Sequence, residues 1–229
     1  MKYKGTMMKK FLLNPLCAGI IVLLSLIIFK GIDVLFYTNE GLLFYEVNQG
    51  LEKMTYTLYV LALGVALYYR FLFLKTDKKS TYLALLFLWL AALLREMGIQ
   101  HWLTKHDTTA IKLRFFTNPN NPLHEKIIAG LLVIIVVGTA LWLFLKYLPK
   151  IWRGFWKLNP LYWTIVTFGG VLIVSQICDR FPSKYFKITH EQLSPLVKEW
   201  LKLFEEGGEA TLPILFALGF IQYARLKKK

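Results

Sequence analysis

Six long apolar runs alternate with polar connecting segments along this chain, at residues 11–29, 54–74, 81–99, 127–147, 161–177 and 210–226. Each run is long enough to cross a hydrocarbon core of about 30 Å as a helix. Such runs must be helical, because an open strand in lipid leaves its backbone N–H and C=O groups unpaired. The pattern predicts an all-α fold: a polytopic integral membrane protein, a six-transmembrane-helix bundle in which residues 1–229 form a single transmembrane domain.

The polar segments divide by charge. Lys2, Lys4, Lys9 and Lys10 precede the first run, and Arg70, Lys75, Lys78 and Lys79 lie at and beyond the end of the second. Lys146, Lys150, Arg153 and Lys157 lie at and beyond the end of the fourth, and Arg225, Lys227, Lys228 and Lys229 end the chain. The one acid among these segments is Asp77. Short segments rich in Lys and Arg stay on the cytoplasmic side. The expected topology is therefore multi-pass in the cell inner membrane, with both termini cytoplasmic.

Composition agrees with that picture. The chain is 56% hydrophobic, with a mean hydropathy of +0.47, more apolar than an ordinary soluble domain. Its net charge of +14, from 28 Lys/Arg against 14 Asp/Glu, is spread over helix ends, where bases meet anionic headgroups. No basic domain results, which excludes the nucleic-acid-binding class. The expected partners are membrane lipids and a partner membrane protein. The segment 146–157 interleaves its bases with Trp152, Phe155 and Trp156, as an interfacial anchor does. No small-residue cleavage site follows the first run, so it is expected to persist as a helix rather than leave as a signal peptide. Cys17 and Cys178 fall at opposite depths of the expected bundle, too far apart for a disulfide.

Three outer segments join the spans. The second carries the turn chemistry Asn118-Pro119-Asn120-Asn121-Pro122. In the third, Thr189 and Gln192 fit a capping box. Leu193, Leu196, Val197, Trp200, Leu201 and Phe204 then recur at helical spacing. This predicts an outer-face amphipathic helix over 189–206, followed by a turn at Gly207-Gly208 into the last span.

Placed by depth, the ionisable groups gather towards the outer ends of the third, fifth and sixth spans. If those spans are neighbours, Glu96, Asp179 and Glu209 form the floor of an outward-facing polar pocket. Gln100, Gln176, Glu205 and Glu206 complete it, and Arg95 and Arg180 are its counter-charges. The aromatics Trp102, Phe115, Phe116 and Trp200 form its rim, under a roof at 108–121. Buried acids in a membrane face the bundle interior, paired or wet. The pocket is expected to bind a lipid or a partner protein, and a register-holding ion-pair network is the purely structural version of the same residues.

An alternative is a membrane-embedded hydrolase or transferase acting on a lipid or lipid-linked substrate. Glu96 or Glu209 is then the general base, with His101, His106 or His190 as acid or metal ligand. Zinc or another divalent metal is the candidate cofactor, with His101, His106, His124 and His190 as candidate ligands. Spacing gives this little support: His101 and His106 stand about 140° apart around a helix. A through-pore is not expected, because ionisable groups are missing from the middles of the spans. There is no G-x-S-x-G elbow and no phosphate-binding glycine loop.

Overall fold

The computed structural model describes residues 8, 10–37, 43–74, 78–98 and 113–227. Among them the fold is helical, with no strand. In chain order the helices are α1 (Cys17–Tyr37), α2 (Leu43–Tyr68), α3 (Phe71–Leu74), α4 (Lys79–Glu96), α5 (Leu113–Thr117), α6 (Leu123–Trp156), α7 (Pro160–Thr189) and α8 (Pro195–Lys227). Among the described residues, α6 and α7 are long and apolar enough to cross a membrane. The apolar parts of α1 and α2, Cys17–Ile32 and Met54–Tyr68, are shorter.

The helices outrun the apolar segments that predict them. At 34 and 30 residues, α6 and α7 rise about 51 and 45 Å, against a hydrocarbon thickness of about 30 Å. The basic segment 146–157, expected as an interfacial connection, is helical up to Trp156 as the C-terminal part of α6, which continues through Pro149. The link to α7 is tight. Leu158 takes a left-handed φ of 53°, and Asn159 caps α7 by accepting from the Leu161 N–H at 3.1 Å, with Pro160 at the first helical position.

The C-terminal end of α7 corrects the expected capping box. Thr189 does not open a helix; it closes α7, its hydroxyl donating to the Tyr185 carbonyl at 2.9 Å. His190 caps that end in the left-handed conformation, its N–H donating to the Phe186 carbonyl. The amphipathic stretch begins at Pro195 and runs unbroken into the last apolar run as α8. The expected turn at Gly207-Gly208 does not form.

The reason lies in packing. The chain divides into two compact units, residues 1–66 with 150–229, and residues 67–149. In the first, α8 is the central helix, and Gly207, Gly208, Ala210, Thr211, Leu212, Pro213, Leu215, Leu218, Phe220, Gln222 and Ala224 are buried. A Cβ at Gly207 would meet Leu26 of α1 at 3.0 Å, and one at Gly208 would meet Ser175 of α7 at 3.2 Å. The glycine pair is therefore a point of close approach to two neighbouring helices, a role small residues serve where helices pack tightly. Cys17, Ala18, Leu215 and Leu218 form the core, with Phe168 and Val171 against them. Cys17 and Cys178 are both buried and unbridged.

In the second unit, Phe115 and Ala129 make a small core joined by Phe116. Phe115 is wholly buried, so it supports α6 from beneath rather than forming an exposed rim. Asn121 anchors the turn ahead of α6 by donating from Nδ2 to the Phe115 carbonyl at 2.8 Å.

Candidate functional site

The contact of Gly208 with Ser175 sets the register of α7 against α8. One turn further out on each helix lie Asp179 and Glu205, so this part of the expected pocket is brought together. Glu205 is partly buried, and Glu206 and Glu209 continue the acidic stretch. Burial raises the Glu205 carboxyl above the ordinary range, and the carboxylates of Asp179 and Glu206 raise it further, against the Lys202 ammonium. Lys202 pairs with Glu206 at 3.4 Å.

Arg180, expected as a counter-charge, is exposed and makes no ion pair among the described residues. Arg180 therefore supplies none of the pairing expected of it among the described residues. Gln176 is half-buried beside it. The N-terminal part of α8 is tied to α1 where Lys30 pairs with Glu199 and stands 6.0 Å from the centre of the Trp200 ring. Its apolar stripe of Leu196, Val197, Trp200 and Phe204 remains exposed.

Arg95 and Glu96 lie in the second unit at the end of α4, where they pair with each other at 3.0 Å. Gln100, His101, Trp102 and His106 fall outside the described residues. His124 is exposed in the first turn of α6, and His190 is exposed at the end of α7. Among the described residues no three His, Cys, Asp or Glu side chains are grouped to hold a metal ion. Two buried acceptors near the start of α6, Asn121 Oδ1 and Glu125 Oε2, make no hydrogen bond among the described residues.

Sequence reasoning ranked Glu96 and Glu209 above Glu205. The signal for Glu205 was its position three residues before Gly208, which matters only once that glycine is known to touch Ser175. Gln222 was also passed over. It is a lone amide in the last apolar run, fully buried, and it joins α7 to the chain ahead of α1.

Because the folded pKa of Glu205 is raised, the stability it contributes is fully present below its unfolded pKa and is lost as pH rises through the folded value. Glu205→Gln should therefore raise the detergent-solubilised melting temperature at pH 8 and leave it nearly unchanged at pH 4. An equal effect at both pH values would refute the shift.

No protein-family model matches this chain, and no similar curated protein or solved structure is found.

Proposed function

We propose that this chain is a multi-pass inner-membrane protein of six spans, with both termini cytoplasmic, that binds a lipid or partner protein at its outer face. The recognised group is cationic, held by Asp179, Glu205, Glu206 and Glu209. The membrane part of this reading is supported by the surface of α6 and α7. In their most apolar windows 11% and 17% of residues are buried, and Ile127, Leu131, Ile134, Leu141 and Leu145 are among those exposed on α6. A core helix of a soluble protein buries such side chains, whereas lipid accepts them. The exposed stripe on α8 fits the same picture as an interfacial surface of the outer leaflet.

The observation that carries the binding site is the acidic group at α7–α8 with Arg180 unpaired beside it. Retention of lipid and protein partners by the purified wild type and by the Asp179→Asn/Glu205→Gln double variant tests it. Loss of one charge-assisted contact should weaken retention roughly ten-fold without lowering the melting temperature. Unchanged retention would sink the proposal. Resistance of the protein to extraction from membranes at alkaline pH tests the membrane reading separately.

The enzyme alternative is favoured by one feature, the raised carboxyl of Glu205, since general acids and bases need a pKa moved towards neutrality. A hydrolase or transferase of this kind would lose turnover in Glu205→Gln while still binding its lipid substrate. A metal-dependent version with zinc would draw ligands from His101 or His106.

A further inference from the structure

In the second unit, α4 and α6 run antiparallel and are bridged at the start of α4. Thr81, at the start of α4, shares a 2.9 Å hydrogen bond with the Tyr147 hydroxyl and accepts from Lys146 Nζ at 3.1 Å. Beyond this bridge the helices part around a cleft of about 490 Å³, walled by Leu83, Ala84 and Phe87 on α4 and by Ile135, Gly138, Thr139 and Trp142 on α6. That volume is within the range of about 300–1,000 Å³ typical of ligand clefts. The cleft is open: a Cβ on Gly138 would meet nothing within 4 Å, and Leu83, Phe87, Ile135 and Trp142 are exposed.

The chemistry of the bridged end differs from that of the walls. Lys146 Nζ stands 4.3 Å from the centre of the Trp142 ring, so the apolar wall ends in a cation. A lysine that merely snorkels turns its ammonium away from the helix towards the headgroups. This one is held by Thr81 of the neighbouring helix beside Trp142, one of the residues that wall the cleft. None of the ion pairs among the described residues uses it. Lys78 and Lys79 lie three and two residues before Thr81 in sequence and add to the charge at that end.

We infer that this cleft binds one anionic phospholipid of the inner leaflet, with its phosphate at Lys146 and Thr81 and one acyl chain along Phe87, Gly138 and Trp142. The inference rests on the membrane-spanning reading of α6. An apolar helix from a second copy would cover the walls but leave the Lys146 ammonium without a counter-charge. An anionic lipid matches both ends, and basic pockets between membrane helices on the cytoplasmic side recognise such headgroups.

The test is native mass spectrometry of the full chain in detergent, with phosphatidylglycerol and phosphatidylcholine added in equal amounts. The wild type should retain one phosphatidylglycerol in preference. Lys146→Met should weaken that retention about five-fold, and Gly138→Leu should abolish it by filling the cleft without altering charge. Lys157→Met is the control and should retain lipid as the wild type does. Equal retention of the two lipids by the wild type, or wild-type retention by Lys146→Met, would overturn the inference. So would a change of oligomeric mass in Gly138→Leu, which would identify a second copy as the occupant. If Gly138→Leu does not fold, Lys146→Met decides alone. Extraction of the wild type from membranes at alkaline pH would instead count against the membrane reading itself.

Discussion

Gln222→Leu should destabilise the protein by roughly 1–3 kcal/mol, the cost of stranding a buried polar group. Gln222 is fully buried on α8. Its Nε2 donates to the Leu12 carbonyl at 3.0 Å, and its Oε1 lies 2.8 Å from the Thr164 hydroxyl of α7. Leucine fills similar volume but leaves the Leu12 carbonyl without this donor. Thr164 is less affected, because its hydroxyl also lies 3.0 Å from the Pro160 carbonyl. A double-mutant cycle with Thr164→Val isolates the shared bond. Its coupling energy should fall between about 0.6 and 1.7 kcal/mol, the range for hydrogen bonds between membrane helices. Equilibrium unfolding in mixed detergent micelles measures all four corners. A neutral Gln222→Leu would mean that the amide finds equivalent partners in the unfolded state.

Gly154→Ala should also destabilise, although helix propensity alone predicts the opposite. Glycine inside a helix is worse than alanine by about 1 kcal/mol. Gly154 is buried on α6, and a Cβ there would fall within the Tyr162 ring of α7. The neighbouring contacts are also close: Phe155 and Trp163 stack at 4.6 Å, and Trp163 Nε1 donates to the Phe155 carbonyl at 3.0 Å. Tyr162 therefore has little room to yield, and overpacking of this kind costs roughly 1–3 kcal/mol. Adding Tyr162→Ala should restore much of the loss in Gly154→Ala. Gly138→Ala, in open space on the same helix, should follow propensity and stabilise by up to about 1 kcal/mol. Melting temperatures of the three variants give the signs directly, and a stabilised Gly154→Ala would show that the α6–α7 link is looser than described.

The helical class was legible because each apolar run reports a sum of local transfer free energies and leaves the backbone only one way to satisfy itself in lipid. Charge segregation was legible for the same reason, since each basic segment acts on its own span. The acidic residues near the outer ends of α7 and α8 were legible as a group. Their ranking was not, because burial and neighbouring carboxylates, which single out Glu205, come from two helices at once. The role given to Arg180 failed on geometry: its side chain is exposed and forms no ion pair among the described residues.

Gly207-Gly208 reads locally as a turn between two helices, and it lies inside α8. Local preference of about 1 kcal/mol per glycine is outweighed when two other helices pack onto the same turn. The sequence by itself determined helices where the apolar runs lie and the charge bias of their ends. Only the tertiary structure decided that α8 is continuous, that Gln222 pins it to α7, and that Lys146 stands beside a residue that walls a cleft. Each of those depends on contacts with residues far away in the chain, whose energies no local window contains.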